Sequence, residues 1–579
     1  MNFILSSLIF VPLASVLLIL ALPGRAVRLI RSVVCGVTFM ELLLALWVYL
    51  QFQASSDLAT SGYQFVQKVK WISLSLNSLG YLQINYFLGV DGVSISMVLL
   101  TGIIGLVGAI SSFSISKSLK GYFALYLLLL GSIMGCFLAL DLFLFYLFFE
   151  FMLLPMYFLI GIWGGPRREY AAIKFFIYTL IGSIFILIVI IGLYTSVIDP
   201  VATARQVGLL SGNGLANVDI ITRIQQLLAA GKLPGNALVH TFSIPDMLSA
   251  QNFIPESLLH VTAGKMLGGV PIRLVAFLLI FAGFAIKMPL VPVHTWLPDA
   301  HVEAPTPISV ILASLLLKVG AYGLFRIVFP VFPDAAVHFS FFLGLLGVVT
   351  IIYGALCALA MSDLKKLIAY SSVSHMGFVL LGLAALTAEG ANGAIYQMFS
   401  HGLISAMLFL VVGVIYDRSG SRSIVCFRGL ADMMPAFTTV AVIAFFASLG
   451  LPGLAGFIAE LLVLLGAFAS ATTSGMLPRW LAIAAMAGMI LGAAYYLWAL
   501  QRMFFGKHWI HPELRERTKL ADLTVREYCL FVPLAILVFV FGIFPSVLLD
   551  KISPGVSSFL EHVLAQSGTQ INQVLQSIP

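Results

Sequence analysis

Long apolar runs follow one another along almost the whole sequence, and they leave few folds open to it. Each run has roughly 17–25 residues, the length that a helix needs to cross the hydrocarbon core of a bilayer. Because every backbone N–H and C=O group in hydrocarbon must be paired within the protein, we predict an all-α polytopic membrane protein. About fourteen transmembrane helices are expected, near residues 3–22, 31–52, 86–112, 120–139, 141–162, 171–196, 272–293, 306–329, 338–360, 367–387, 392–416, 434–466, 479–503 and 528–548.

The composition excludes several other classes of protein. Only 9% of the 579 residues are charged and 61% are hydrophobic, whereas about a quarter are charged in a soluble domain. The net charge of +7 comes from lysines and arginines scattered over short loops, which does not indicate a nucleic-acid site. The five cysteines form no CxxC pair, so neither a metal cluster nor a disulfide framework is expected. The sequence lacks a GxxxxGK[ST] motif, and nucleotide or flavin binding finds no support.

The basic residues predict the orientation, because lysine and arginine favour the inner side of a membrane. If the N-terminus lies outside, 19 of the 31 lysines and arginines fall in inner loops and 10 on the outer side. Both ends of the chain are therefore expected outside, with an even number of spans.

Two runs contain segments that break a helix, and their positions predict an internal duplication. KMPLVPVH begins at Lys287 and SLGLPGLAGF begins at Ser448; each lies in the fourth of five successive runs. Broken helices at corresponding places predict two inverted five-helix repeats around a transport pathway. The expected divisions are three N-terminal spans in 1–119, a first repeat in 120–329 with an extramembrane insertion at about 197–270, a second repeat in 330–505, and a charged inner loop, last span and C-terminal tail in 506–579. The insertion is expected outside, as a surface cap or partner contact.

Three ionisable residues lie deep inside apolar runs. Lys287 stands at the first break, Lys318 is in the middle of the next run, and Glu150 is near the middle of the fifth. An ionisable group in the membrane costs at least about 2.5–3.5 kcal/mol on insertion scales, which makes each a functional-site hypothesis. The alternative is a structural ion pair between Glu150 and a lysine.

Two histidines and a second acid extend this set. His375 and His401 lie near the middle of the tenth and eleventh runs, and Glu460 follows the second break. Imidazole changes charge near neutral pH and can pass a proton between its two nitrogens, although a single buried histidine is more often a packing residue. In the short inner loop after the first break, three further residues are interpreted as loop anchors: Asp299, His301 and Glu303.

The stretch from Phe281 to Arg326, FAGFAIKMPLVPVHTWLPDAHVEAPTPISVILASLLLKVGAYGLFR, resembles the antiporter-like membrane subunits of respiratory NADH:quinone oxidoreductase, complex I, and the related multisubunit cation/proton antiporters. FFEFMLLPMYFLIGIWGG around Glu150, FLGVDGVSISMVLLT and SLGLPGLAGFIAE resemble one member of that family in particular. The resemblance covers the chain apart from much of residues 197–270, which look longer than the family usually carries. In YDRSGSRSIVCFRGL, Ser419 and Gly420 stand where the family often has a histidine.

The resemblance implies a role for each of the singled-out residues. Glu150 and Lys287 would form an essential glutamate–lysine pair, and Lys318 would be the lysine that links two half-channels. His375 and His401 would belong to a central hydrophilic axis, and Glu460 would be a terminal acid that faces the neighbouring subunit.

The same resemblance implies a proton-translocating subunit that couples quinone reduction to proton pumping without redox chemistry of its own. NADH, FMN, iron–sulfur clusters and quinone are expected in partner subunits, and no cofactor or metal in this chain. The expected partners are other complex I membrane-arm subunits, notably neighbouring antiporter-like subunits, in the bacterial inner membrane or the mitochondrial inner membrane. Two alternatives stay open: a subunit of a cation/proton antiporter without redox drive, and a passive assembly scaffold.

Overall fold

Helices make up most of the computed structural model, which describes residues 3–53, 62–75, 80–210, 218–260, 265–515 and 520–576. Thirteen helices in these ranges are long and apolar enough to cross a membrane. The predicted seventh span is a shorter helix of 16 residues, Ile272–Lys287, because it is cut off at the first break. Together they confirm an all-α polytopic membrane protein, whereas the division into two inverted repeats stays a prediction.

The elements of the N-terminal part, up to the first break, are α1 (Ile4–Ala21), α2 (Val27–Gln51), β1 (Gln64–Ser75), β2 (Tyr81–Val90), α3 (Gly92–Ser111), α4 (Leu119–Leu138), α5 (Leu142–Phe151), α6 (Leu153–Trp163), α7 (Arg168–Ser196), α8 (Pro200–Gln206), α9 (Val218–Ala229), β3 (Val239–Thr241), α10 (Ile244–Met247), β4 (Met266–Leu267), β5 (Val270–Pro271) and α11 (Ile272–Lys287).

The elements that follow are α12 (Trp296–Glu303), α13 (Thr306–Ile311), α14 (Leu317–Gly323), α15 (Phe329–Val331), α16 (Pro333–His338), α17 (Ser340–Leu359), α18 (Leu364–Ala384), α19 (Ala388–Ser419), β6 (Phe427–Arg428), α20 (Leu430–Met433), α21 (Pro435–Ser448), α22 (Ala455–Thr473), α23 (Arg479–Met503), β7 (Trp509–Ile510), α24 (Pro512–Arg515), α25 (Val525–Ile543) and α26 (Ser546–Gln576).

The eighth and eleventh spans form the centre of the helical layer. Thr306–Val331 and Ala388–Ser419 each contain an 18-residue stretch in which every residue is buried, whereas 28% of the residues of α1 are buried. The two central spans carry Lys318 and His401, so protein rather than lipid surrounds both residues.

The predicted start of the third span at residue 86 is wrong. Residues Tyr81–Val90 form β2, which pairs antiparallel with β1, and the helix begins at Gly92 after Asp91 caps it by accepting from the N–H groups of Val93 and Ser94. An apolar run that includes Phe87 and Leu88 does not by itself distinguish a strand from a helix.

The insertion at about 197–270 is joined to the start of the fifth span. Strand β3 pairs in parallel with β2, and the Leu142 N–H donates to the Phe242 carbonyl at 2.7 Å. A buried ion pair fixes the far end of the insertion, since Arg273 Nε lies 3.0 Å from both Asp334 oxygens. The described residues of the insertion therefore form a cap over the helix that carries Glu150.

The expected C-terminal tail is one long helix, α26, with an amphipathic pattern. Its residue Gly555 packs directly on Gly92 at the start of α3, and His562 Nε2 lies 2.9 Å from the Pro330 carbonyl. It therefore crosses the same side of the helical layer as the β1–β2 hairpin, the side predicted to face outward.

The cap should lose stability as the pH rises, because of one carboxyl group. Burial, together with the neighbouring Asp199, raises the pKa of Asp246 to about 7, against about 3.9 in an unfolded chain. Between these values the folded cap holds a proton that the unfolded cap releases, so its stability falls as pH rises from about 4 to about 7.

Hydrogen exchange of residues 239–247 between about pH 5 and pH 8 checks this. After correction for the chemical exchange rate, opening should increase with pH in the wild type and stay nearly constant in Asp246→Asn. Asp219→Asn, on an exposed position of α9, should behave like the wild type. Equal pH dependence in Asp246→Asn and the wild type would contradict the assignment.

Candidate functional site

Lys318 lies in the middle of the eighth span, and the protein supplies its partners. π-helical turns at Leu312–Leu316 and Leu324–Val328 flank the helical segment that carries it. Such turns alter the regular backbone hydrogen bonding, and the Ala313 carbonyl accepts from the Lys318 ammonium at 2.5 Å. The ammonium also contacts Nδ1 of His401 at 2.6 Å. The sequence predicted an unbroken helix here, so both π turns are findings of the structure.

Three further predicted side chains continue from Lys318 as close neighbours. The ring centroids of His401 and His375 are 5.3 Å apart. His375 Nδ1 lies 3.4 Å from Glu460 Oε1 and 3.0 Å from the Gln397 amide nitrogen. The structure thus brings four of the six predicted site residues together; that each of them carries a proton stays a prediction.

A small cavity lies against both histidines. Its water-accessible volume is about 10 Å³, which is close to the space that one water molecule needs. Ser448 on its wall lies 3.4 Å from His375 Nε2 and donates to the Tyr496 hydroxyl at 2.5 Å. The Tyr496 hydroxyl in turn donates to Ser371 at 2.8 Å, so hydroxyl groups extend the polar line sideways from His375.

The seventh span breaks directly after Lys287, as its two prolines predict. Helix α11 ends at Lys287 and the chain becomes helical again at Trp296. The backbone groups freed by the break find partners within the protein: the Ala285 carbonyl accepts from the Leu290 N–H at 3.0 Å, and the Ile286 carbonyl accepts from the Trp296 indole at 2.8 Å. This pairing allows a non-helical segment to persist inside the membrane.

The Lys287 ammonium rests on aromatic rings. Lys287 is 1% exposed, and its Nζ has no hydrogen-bond partner among the described residues. The Nζ atom lies 4.7 Å from the centre of the Phe149 ring and 5.8 Å from that of Phe175. Because aromatic faces attract cations, these rings partly replace the missing polar partners.

The Glu150 carboxylate is near Lys287 without touching it. The two charges are within electrostatic range, but the ion pairs found in the described ranges do not include this one. Glu150 Oε1 is buried without a hydrogen-bond partner among the described residues. The helix is interrupted two residues later, at Met152. Pro155 explains this break, because it has no N–H group to donate to a carbonyl in the preceding turn. The break was not predicted from the sequence.

Two acids expected as loop anchors lie instead on a helix, although they do anchor the inner side. Asp299 and Glu303 belong to α12. The Lys174 ammonium donates to Asp299 at 2.7 Å, and the Arg167 backbone N–H donates to Glu303 Oε2 at 2.9 Å. Each contact ties the end of the broken seventh span to an adjacent span.

His301, on the same helix, is not a loop anchor. It is fully buried, its ring stacks on Phe409 at 4.6 Å, and neither ring nitrogen has a hydrogen-bond partner among the described residues. Its charge would interact with Lys365 and Lys318. The sequence carried a weak signal for this burial, since Leu297 lies four residues earlier on the same helical face.

A cleft opens at the inner end of this region. Its water-accessible volume is about 270 Å³, and charged side chains line it, including those of Glu303, Lys365, Asp417 and Arg422. Lys365 is 3% exposed, and its ammonium donates to the Ala304 carbonyl at 2.6 Å. The cleft has room for several water molecules and lies beside the helix that carries His301.

The second break brings backbone against Glu460. Between α21 and α22 the chain is non-helical, and Gly450 has φ +79°, a conformation that costs energy for any residue with a Cβ atom. A Cβ atom at Gly450 would lie 2.8 Å from Glu460 Oε2. Glycine at this position therefore gives the carboxylate the space beside His375.

The chain is similar to known proteins over nearly its whole length. The family described as NADH:quinone oxidoreductase/Mrp antiporter, transmembrane, matches residues 139–204 and 241–494. The chain is 39% identical to NADH-quinone oxidoreductase subunit M of Rhodobacter capsulatus, with 98% of each chain covered. It is 36% identical to NADH-ubiquinone oxidoreductase chain 4 of Marchantia polymorpha, with 96% of this chain and 97% of the relative covered.

The solved structures show the same architecture. A chain of respiratory complex I from Thermus thermophilus aligns with a TM-score of 0.74 at 27% identity, covering 96% of this chain and 99% of that one. A chain of the Mrp complex from Dietzia aligns with a TM-score of 0.72 at 20% identity, covering 97% and 99%, which supports the fold alone. These comparisons confirm the resemblance that the sequence motifs indicated.

Gly450→Ala should displace the Glu460 carboxylate. The added methyl group needs ordinary contact distances of 3.4 Å or more, so Oε2 must move by at least several tenths of an ångström and the His375–Glu460 distance should increase. Gly453→Ala is the matched control, since Gly453 also has a positive φ but nothing lies within 4 Å of an added Cβ. A high-resolution structure of each variant measures the distance; an unchanged 3.4 Å contact in Gly450→Ala would contradict the prediction.

Proposed function

The chain belongs to the family of NADH:quinone oxidoreductase and Mrp antiporter membrane subunits, and we propose that it translocates protons as a membrane-arm subunit of an NADH:quinone oxidoreductase. One observation carries the proposal: Lys318, His401, His375 and Glu460 form a buried line of titratable neighbours. No packing requirement explains four such groups in contact within the membrane, because each is costly to bury.

The names of the relatives support the predicted partner subunits and the predicted membrane location of this chain. The chain takes part in NADH:quinone oxidoreduction as one subunit among others, next to further antiporter-like membrane subunits. We assign NADH oxidation and quinone reduction to those other subunits and no redox centre to this chain. It is a multi-pass membrane protein, and bacterial relatives such as the one from Rhodobacter support the bacterial inner membrane.

The energy needed to move a proton across the membrane limits which side chains can carry it. Moving one charge across 100 mV costs about 2.3 kcal/mol, so a membrane at roughly 200 mV requires nearly 5 kcal/mol for each proton. Since one pKa unit is worth about 1.36 kcal/mol, the proton affinity of a site must change by between three and four units. A buried lysine can make such a change, whereas arginine does not release its proton.

Approach and separation of Glu150 and Lys287 supply that change in the proposed cycle. When the carboxylate lies against Lys287, the charged ammonium is stabilised; when it moves away, burial makes the charge costly and favours release of the proton. Lys287 lies on the Phe149 ring at 4.7 Å, and its Nζ has no hydrogen-bond partner among the described residues, which is consistent with the separated state. Electrostatic changes from quinone reduction elsewhere in the complex would drive the alternation.

The proposed lateral path for protons consists of the four neighbouring residues Lys318, His401, His375 and Glu460. A proton that reaches Lys318 can pass to His401 through their 2.6 Å contact. Each imidazole accepts a proton on one nitrogen and releases it from the other, so transfer continues through His375 to Glu460. The inner cleft beside Lys365 supports entry from the inner side, because His301 is within electrostatic range of both Lys365 and Lys318.

The alternative of an antiporter without redox drive finds less support. The relatives with 36–39% identity over nearly the whole chain bear oxidoreductase names, whereas the Mrp structure is 20% identical. The subunit composition of the purified complex distinguishes the two: quinone-reductase subunits support the proposal, and antiporter subunits alone would replace it.

Lys287→Arg should leave assembly intact and abolish coupled proton transfer. The guanidinium keeps the charge at this position, but it holds its proton throughout the cycle. Proton uptake and quinone reduction are measured together in vesicles containing the intact complex, and the number of protons moved per electron should fall by the share that this subunit contributes. Lys232→Arg, at an exposed position of the cap, is the control. Wild-type turnover and proton yield in Lys287→Arg would refute the role.

A further inference from the structure

Glu41 lies in the second span, apart from the line of residues described above. It is 1% exposed, and neither carboxyl oxygen has a hydrogen-bond partner among the described residues. Helix α2 runs from Val27 to Gln51, so Glu41 is about 21 Å from its start and about 15 Å from its end at 1.5 Å per residue. The carboxyl group is therefore near the middle of the membrane.

The position of Glu41 on α2 points it into the protein. It belongs to a buried stripe that also includes Val34, Thr38, Ala45 and Val48. The opposite face is exposed and apolar, as expected for contact with lipid: Phe39, Met40, Leu43, Leu46 and Leu50. Helix α3 closes the buried side tightly, since a Cβ atom at Gly102 would lie 3.1 Å from the Ala45 side chain.

Among the residues that the structure describes, no cation forms an ion pair with this carboxyl group. Arg31, on the same helix, is ten residues away and donates to the Phe113 carbonyl at 2.7 Å. Tyr126 of α4 is within electrostatic range of Glu41 and of Cys35, and its hydroxyl donates to the Gly105 carbonyl at 2.6 Å. The facing groups are thus neutral hydroxyl and thiol side chains in an apolar contact.

We propose that Glu41 is a proton-binding site of the membrane domain, separate from the Lys318 to Glu460 line. A carboxylate without a cation or a hydrogen-bond donor is strongly disfavoured in hydrocarbon. Burial without a partner therefore favours the neutral carboxylic acid at this position. This inference does not depend on the proposed function of the line.

A lipid-soluble carbodiimide detects such a proton. The carboxylic acid transfers its proton to one nitrogen of dicyclohexylcarbodiimide while its oxygen bonds to the central carbon, which gives an O-acylisourea without a leaving group. The acyl group then moves from that oxygen to the adjacent nitrogen, breaking the C–O bond and forming a C–N bond, and leaves a stable N-acylurea. An ionised carboxylate lacks the proton that the first step consumes.

The test is to treat the intact membrane complex with dicyclohexylcarbodiimide at about pH 8, where ordinary exposed carboxyls are ionised, and to measure adducts by mass spectrometry. Glu561, exposed on α26, is the matched control. Glu41 should carry the N-acylurea at an occupancy at least about tenfold above that of Glu561, and a water-soluble carbodiimide should label Glu41 at least tenfold less. Equal labelling of the two residues, or stronger labelling of Glu561, would overturn the proposal.

Infrared spectroscopy gives a second readout. The C=O stretching band of a protonated carboxyl group should disappear in Glu41→Gln and persist in Glu561→Gln. An unchanged band in Glu41→Gln would overturn the proposal. If Glu41→Gln does not assemble, the labelling of the wild-type complex decides the question.

Discussion

The contact between the Lys318 ammonium and His401 Nδ1, 2.6 Å long, is the interaction on which the central part of the structure depends. A lysine in the middle of a span is tolerated only where the protein surrounds it with polar partners. The π turns beside Lys318 supply a carbonyl group, and α19 supplies the imidazole. Lys318 and its neighbour His401 are both buried within the protein, so lipid does not reach this contact.

The breaks in the spans create the same need for polar partners, in this case for backbone N–H and C=O groups. Each interruption frees polar groups that need partners in hydrocarbon, and the protein provides them by side-chain and main-chain contacts such as that of Trp296 with Ile286. At the second break, Gly450 leaves space for the Glu460 carboxylate. Irregular backbone and buried charge therefore occur together, at Lys287, at Lys318 and at Glu460, and each makes the other possible.

The sequence allowed much of this to be predicted, because apolar run length and proline positions are local signals. The spans and the breaks after Lys287 and Ser448 follow from such signals. The order in which the histidines lie does not, because His401 contacts Lys318 and His375 contacts Glu460 through helix packing that the sequence leaves open. The π turns around Lys318 do not, because they depend on which partner a carbonyl meets across a helix interface. The same holds for the burial of His301, the strand at Tyr81–Val90 and the separation of Glu150 from Lys287, since side-chain rotamers and strand pairing are set by tertiary contacts.

The account rests on His401 as a titratable link between Lys318 and His375, and His401→Gln tests it most directly. Glutamine keeps a hydrogen-bonding group beside the Lys318 ammonium but takes up no proton near neutral pH. The quantity to measure is the number of protons moved per electron by the intact complex in sealed vesicles. The account predicts a lower ratio than in the wild type, with the complex still assembled. A wild-type ratio in His401→Gln would contradict it.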